Sequence, residues 1–139
     1  MKKIGIWLDK DKALVVTIEN DKESLKSILS DVEHYHVHGG FGIRFTGGSQ
    51  DVVQDSKYLE REKHQLKQYF KDIVSHIKDA NAIVIFGPAE TREKFSKELR
   101  ENYKRLSSKI KGVEKTDSMT DNQVKAWVRN FFNHLHSTI

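Results

Sequence analysis

Cationic side chains follow a glycine-rich segment in this sequence, and together they could bind a polyanion. Five glycines lie at positions 39–48, and a long amphipathic pattern comes after them. The candidate RNA-binding residues on its polar side are Lys57, Arg61, His64 and Lys71. Lysine and arginine that contact phosphates release counterions, so such a face could follow an RNA backbone. The alternative is an ordinary solvated helix face, because Glu60 and Glu62 lie among these cations.

Three histidines alternate along the chain at His34, His36 and His38. Alternate positions on a strand share one face, so three imidazoles could converge on a metal such as zinc. Neighbours on that face stand about 6.5 to 7 Å apart, however, which is too far for three of them to share an ion without a bend. No fourth ligand is identifiable either. The three histidines are therefore a weak candidate metal site, with the polar face of an edge strand as the alternative, and no cofactor is predicted.

Two carboxylates, Asp9 and Asp11, stand at the end of the first apolar run. A nuclease of the RNase H type needs several carboxylates that converge on divalent metals. The apolar run at 82–86 contributes none, and Glu90 comes only after Gly87 and Pro88. We therefore interpret Asp9 and Asp11 as turn residues.

Composition narrows the function classes. The chain has 139 residues, which suits one domain with one core, and its net charge of +4 modestly favours acidic partners. It contains no cysteine, which excludes disulfides, thiol catalysis and zinc–thiolate sites. No signal peptide and no membrane-spanning segment is apparent, so we expect a cytoplasmic protein without a membrane partner.

The first half of the chain predicts three strands and a long helix. Apolar runs at 4–8 and 13–18 are typical of a β-hairpin. A third antiparallel strand is expected within 24–37, where positions 32–38 alternate. The helix is predicted to begin between Asp51 and Tyr58 and to end near Lys78. Its expected inner residues are Leu59, Leu66, Tyr69, Phe70, Ile73 and Ile77.

The second half alternates strands with helices. The run at 82–86 predicts a strand buried on both faces, and Pro88 suits the first turn of a helix over 89–103. A short edge strand is expected at 109–115. Thr120 and Gln123 have the spacing of a capping box that opens a last helix. The residues expected to be buried in that helix are Val124, Trp127, Val128, Phe131 and Leu135.

These elements predict a single α/β domain over 1–139, with a flexible glycine-rich loop at about 39–50. Its mixed sheet is flanked by helices, in the order β-β-β-α-β-α-β-α, an architecture similar to RNase H.

This order and three short motifs resemble the middle domain of the eukaryotic and archaeal class 1 peptide-chain release factors and of Pelota. The motifs are Gly47-Gly48-Ser49-Gln50, the run 83–88 together with Phe95, and 120–128. A bacterial single-domain relative is what the resemblance implies. In that group a Gly-Gly-Gln tripeptide enters the ribosomal peptidyl-transferase centre and helps water to cleave the peptidyl-tRNA ester. By position, the resemblance assigns the catalytic role to Gly47, Gly48 and Gln50.

The sequence departs from that motif at Ser49, which separates Gly48 from Gln50. In an extended chain, one inserted residue moves the glutamine amide by about 3.3 to 3.6 Å and turns its side chain to the other side. Catalysis by positioning does not tolerate such a displacement. An ordinary turn before a helix is the alternative interpretation of these residues.

Two hypotheses for the function follow. The first is a translation-associated module that binds ribosomal or transfer RNA, with peptidyl-tRNA hydrolysis as the only enzymatic activity to consider. The second is a non-catalytic protein-interaction domain that keeps the fold without binding RNA.

Overall fold

The predicted class, α/β with a mixed sheet between helices, is confirmed. This computed structural model describes residues 1–30 and 48–137, and of residues 48–58 and 136–137 only the backbone is described. The strands are β1 (Lys2–Leu8), β2 (Lys12–Glu19), β3 (Lys22–Leu29), β4 (Ala82–Gly87) and β5 (Ile110–Lys115). The helices are α1 (Gly48–Ser75), α2 (Thr91–Asn102), α3 (Lys104–Ser107) and α4 (Asp121–Ser137). The short helix α3 was not predicted.

The five strands form one sheet in the order β3-β2-β1-β4-β5. β1, β2 and β3 are an antiparallel meander, whereas β4 pairs in parallel with both β1 and β5. Among the described strands, β3 and β5 therefore lie at the two edges. The second of these edge positions agrees with the short edge strand predicted near 109–115.

The central strands β1 and β4 are buried on both faces of the sheet. All six residues of β4 and the last five of β1 are buried, as the nearly unbroken apolar runs predicted. On one face the side chains of Ile4, Ile6, Ile83 and Ile85 pack under α1 and α2. On the other face Trp7, Val84 and Phe86 pack under α4. The domain thus has three layers, with α1 and α2 on one side and α4 on the other.

Gly5 lets α4 approach the middle of the sheet. A Cβ placed on Gly5 would lie 2.2 Å from Val128 Cγ2 and 2.8 Å from Val128 Cγ1. Both distances are far below van der Waals contact, and Val128 is fully buried, so it has little room to move. The crossing of α4 over β1 therefore depends on the missing side chain.

Local signals that fix the turns and caps agree with the sequence interpretation. Asn20 and Asp21 have positive φ angles of 54° and 65°, which suits a tight turn between β2 and β3. At the start of α4, Gln123 N donates to Thr120 Oγ1 at 3.3 Å. In return, Thr120 N donates to Gln123 Oε1 at 2.9 Å. The predicted capping box is confirmed.

The predicted starts of two elements are wrong. The third strand pairs antiparallel with β2, as predicted, but it begins at Lys22, before the expected start at 24, and the alternating stretch at 32–38 lies outside the described residues. Helix α1 begins at Gly48, before the predicted start at Asp51. The backbone of Gly48, Ser49 and Gln50 therefore belongs to the first turn of this helix.

Two expectations about burial are corrected as well. Leu59 is 59% exposed, because the part of α1 around it packs against none of the described core. In α4, Phe132 is buried, while Trp127, Phe131 and Leu135 are only partly buried. Trp127 stacks on Phe86 at a ring-centroid distance of 3.9 Å, and Phe131 stacks on Trp127 at 5.5 Å.

Among the helices that the structure describes, none is long and apolar enough to cross a membrane.

Replacing Gly5 with alanine should test the close approach of α4. We expect Gly5→Ala to lower the free energy of unfolding by about 1–3 kcal/mol, because the new methyl group overlaps the Val128 side chain. Urea denaturation followed by circular dichroism measures this loss. In a Val128→Ala background the same change should cost less, since the overlapping methyl groups are gone. Equal costs in both backgrounds would show that the two side chains do not compete for this space.

Candidate nucleic-acid interface

Helix α1 packs on the sheet through one side only. Leu66, Tyr69, Phe70 and Ile73 are buried in the core between α1 and the sheet, and Phe70 also contacts Phe95 of α2. The helix period therefore leaves the opposite side of α1 in solvent. That side carries three of the predicted RNA-binding residues, Arg61, His64 and Lys71.

The exposed side of α1 carries more cations than the sequence interpretation assigned to it. We call the exposed residues Arg61, Lys63, His64, Lys67 and Lys71 the basic face. Within it, Lys63, Lys67 and Lys71 recur every four residues and form a row about 12 Å long. No carboxylate interrupts this lysine row, and no ion-pair partner of the three lysines is present among the described residues. Like charges four residues apart on a helix repel each other, by about 0.2–0.5 kcal/mol per pair.

Two acidic residues near the basic face form hydrogen bonds with residues outside it. Glu62 turns toward the β1–β2 turn, where its carboxylate accepts a hydrogen bond from Lys10 Nζ at 2.7 Å and is only 15% exposed. Asp72 accepts a hydrogen bond from Gln68 Nε2 at 3.4 Å. Glu60 lies one turn before the lysine row. Because Glu62 is paired with Lys10, it reduces the positive charge of this face less than the sequence suggested.

The β1–β2 turn holds α1 in place. The Tyr69 hydroxyl donates to the Asp9 carbonyl at 3.1 Å, and the Lys10–Glu62 ion pair lies about two helical turns away on α1. The same turn also holds the end of β3. Ser30 Oγ donates to the Lys10 carbonyl at 2.5 Å, and Ser30 N donates to the Asp11 carbonyl at 2.9 Å. The β1–β2 turn therefore contacts both α1 and the residue that follows β3.

Asp9 and Asp11 are turn residues, as interpreted from the sequence. Asp9 Oδ1 accepts hydrogen bonds from Asp11 N at 2.8 Å and from Lys12 N at 2.9 Å, and Asp9 N donates to the Lys12 carbonyl at 3.0 Å. The Asp9 carboxylate therefore closes the turn. Among the side chains that the structure describes, at 1–30 and 59–135, no group of three metal-binding residues is found.

The other predicted site residues are placed only in part. Gly47 and the three histidines of the candidate metal site, His34, His36 and His38, lie outside the described residues, as does the stretch 39–47 of the predicted loop. Gly48, Gln50 and Lys57 lie on the backbone of α1. Their roles stay predictions.

Sequence reasoning missed Lys63 and Lys67, although their spacing was visible. The four-residue interval from Lys63 to Lys71 is a helical period, and all three lysines fall on one side of a wheel. The row was missed because it lies beside the buried stripe and not opposite to it. Long lysine side chains can occupy such a margin, since their stems pack on apolar surface while the ammonium group stays in water.

Comparisons with known proteins support the fold. No family model matches the sequence, and no curated protein matches it. Among solved structures, an archaeal translation termination factor is similar, with a TM-score of 0.54 and 10% identity. Pelota from Archaeoglobus fulgidus is similar too, with a TM-score of 0.54 and 8% identity.

These likenesses extend over 99% of this chain, but over only 41% of the termination factor and 37% of the Pelota chain. The chain therefore has a fold that occurs as one part of two larger proteins. At such low identity the likeness shows the fold alone.

The buried Tyr69 hydroxyl should make stability depend on pH in the alkaline range. Burial raises the pKa of Tyr69 above its ordinary value of 10.0, and the charges of Asp9 and Asp11 add to this effect. The unfolded chain therefore loses this proton first, so the folded state binds more protons above pH 10. Above that pH the free energy of unfolding should fall because of this group, with a slope that approaches about 1.4 kcal/mol per pH unit.

Tyr69→Phe removes the titrating group, so the free energy of unfolding of this variant should fall less steeply with rising pH. Near neutral pH the variant should be less stable by about 1 kcal/mol, because it lacks the hydrogen bond to the Asp9 carbonyl. Urea midpoints of both proteins between about pH 9 and pH 11 give the two slopes. Parallel slopes would mean that Tyr69 ionises equally readily in the folded and unfolded chain.

Proposed function

We propose that this chain is an RNA-binding module of translation, which docks on ribosomal or transfer RNA through the basic face of α1. The observation that carries the proposal is the lysine row, whose three exposed ammonium groups have no carboxylate partner among the described residues. A phosphate backbone would relieve their mutual repulsion and release counterions. A cytoplasmic location is part of this proposal.

The anchoring of α1 supports a docking role. Tyr69 and Glu62 fix the helix on the β1–β2 turn, so the lysine row is held on a rigid element that does not have to be ordered on binding. The three lysines of the row are spaced by four residues, so they follow one line along α1, as contact with a phosphate backbone requires. Arg61 and His64 are exposed on the same helix, nearer to Lys57.

The fold adds a second line of support. The termination factor is a translation protein by its description, and it contains this fold over 41% of its length. In our proposal, this chain uses the shared fold to present its α1 to RNA. Fold alone does not determine function, so the proposal of RNA binding rests mainly on the basic face.

Peptidyl-tRNA hydrolysis is not included in the proposed function. Gly48, Ser49 and Gln50 stand in the first turn of α1, where one inserted residue rotates the next side chain by about 100° and advances it by about 1.5 Å. An uninterrupted Gly-Gly-Gln would place the glutamine one position earlier on this helix. The proposed role is therefore binding.

Removing the lysine row should weaken RNA binding and its dependence on salt. We expect Lys63→Gln, Lys67→Gln and Lys71→Gln, combined in one variant, to reduce affinity for ribosomes and for poly(U) RNA by about tenfold or more at low salt. The slope of log affinity against log salt should flatten by about 2, since each lost phosphate contact on a single strand removes about 0.7. Fluorescence anisotropy over a salt series measures both effects.

The matched control variant combines Lys104→Gln, Lys111→Gln and Lys115→Gln. It removes the same charge from exposed positions on α3 and β5, at the edge of the sheet opposite to the one that α1 contacts. We expect its affinity and its salt slope to stay near those of the unmodified protein. If the two triple variants lose affinity equally, only net charge matters and the basic face is not the site. If the unmodified protein binds neither ribosomes nor RNA at low salt, the non-catalytic protein-interaction alternative replaces the proposal.

Gln50→Ala should leave RNA binding within about twofold of the unmodified protein, because one neutral amide contributes little beside several charged contacts. Deletion of Ser49, which restores an uninterrupted Gly-Gly-Gln, should likewise leave binding nearly unchanged. Both variants are assayed for release of the peptide from ribosome-bound peptidyl-tRNA, beside the unmodified protein. Release by the unmodified protein that disappears with Gln50→Ala would contradict the non-catalytic role. Release gained on deletion of Ser49 would show a misregistered but correctly placed motif.

A further inference from the structure

The edge of the sheet at β5 borders a second basic surface, separate from α1. A groove runs between helix α2 and the edge strand β5, and we call it the α2–β5 groove. It is lined by Glu93, Lys94, Ser96, Lys97, Arg100 and Val113. α2 packs on β4 and β5, whereas α1 contacts β3 at the other edge of the sheet. The groove is therefore not a continuation of the basic face.

The helical wall of the groove presents a fixed positive charge. Arg100 Nη1 donates to Ser96 Oγ at 2.8 Å. Because Ser96 is buried, this bond holds the Arg100 guanidinium against α2. Lys94 and Lys97 are exposed, and neither has an ion-pair partner within the part of the chain that the structure describes. Three cations thus face one carboxylate, Glu93, along this wall.

The strand wall offers backbone hydrogen bonds. β5 pairs with β4 on one side, and among the described strands none lies on its other side. An edge strand of this kind has unpaired N–H and C=O groups that can bind another extended chain. Val113, near the middle of β5, is an exposed apolar side chain that lines the groove. The groove therefore combines a hydrogen-bonding edge, an apolar contact and a row of cations.

We propose that the α2–β5 groove binds an extended acidic segment of a partner protein, which adds to the sheet as a sixth strand beside β5. Main-chain hydrogen bonds to the β5 edge hold the segment, and every second side chain points toward α2. Aspartate or glutamate at those positions pairs with Lys94, Lys97 and Arg100. An apolar side chain between them covers Val113.

The charge pattern favours a peptide over a nucleic acid in this groove. Glu93 lies in the groove, so its carboxylate would repel a continuous phosphate backbone. An acidic peptide carries charge only where its side chains point, and it can place another residue opposite this carboxylate. A phosphodiester chain also has no N–H groups with which to pair along a strand edge. This inference stands independently of RNA binding by α1.

The test uses NMR spectroscopy of the full chain with a short peptide of alternating glutamate and valine. We expect chemical-shift changes confined to residues 93–100 and 110–115, and slower hydrogen exchange of β5 edge amides in the presence of the peptide. A peptide of alternating lysine and valine should cause neither effect. The variant that combines Lys94→Gln and Lys97→Gln should bind the acidic peptide at least tenfold more weakly, whereas the control pair Lys22→Gln and Lys26→Gln should bind it normally.

Several outcomes would overturn the proposal. Shift changes without protection of the β5 amides would indicate nonspecific charge attraction and no added strand. Shift changes that map to α1 would place the acidic peptide on the other basic surface. Tighter binding of poly(U) than of the peptide at residues 93–100 would assign the groove to nucleic acid. Protection of β5 that grows with protein concentration in the absence of peptide would assign the edge to a second copy of this chain.

Discussion

Two neighbouring parallel strands with both faces buried constrain the whole structure. β1 and β4 expose almost no side chain to solvent, so each face of the sheet needs a helical layer. α1 and α2 supply one layer, and α4 supplies the other, which approaches closely because Gly5 has no side chain. This packing buries one side of each of these helices. The charged residues of the chain are left on the outer sides of the helices and on the two edge strands, which is where both proposed binding surfaces lie.

The two proposed surfaces use different physics because they are built on different elements. The lysine row lies on a helix, where the backbone is fully hydrogen-bonded and only side chains can contact a partner. A spaced row of positive charges suits a polyanion with regularly spaced phosphates. The α2–β5 groove adds a strand edge, whose backbone groups are themselves a binding surface. That edge suits another polypeptide, and the flanking cations select an acidic one.

The sequence predicted best those elements whose signals are strong and local. The apolar runs of β1, β2 and β4 predicted buried strands, and Thr120 with Gln123 predicted the start of α4. The start of the third strand was predicted two residues too late because β3 contains one buried residue, Ile28, which leaves little pattern to recognise. Phe131 was predicted where Phe132 is the more buried residue, since the rotation of α4 depends on its contact with Gly5 and not on its own sequence.

The candidate site was predictable only in part, for a related reason. Cations on α1 were visible in the sequence, but the pairing of Glu62 with Lys10 depends on a turn more than 50 residues away in the chain. Without that contact, Glu62 counted as a negative charge on the basic face. Lys63 and Lys67 lie at the margin of the buried stripe, so a simple division of α1 into two sides overlooked them. Charge balance on a surface is a tertiary property, which helical periodicity alone does not determine.

The parallel pairing of β1 with β4 has a consequence for the time at which this sheet can be completed. Ile4 pairs with Ile83, so the two partners are separated by about 80 residues, whereas β1, β2 and β3 are joined by short turns. The antiparallel meander can therefore form first, with the β4 side of β1 still unpaired. At a synthesis rate of about 5–20 residues per second, that apolar edge waits roughly 4 to 16 seconds for its partner. During this interval the unpaired edge of β1 can pair with the wrong chain.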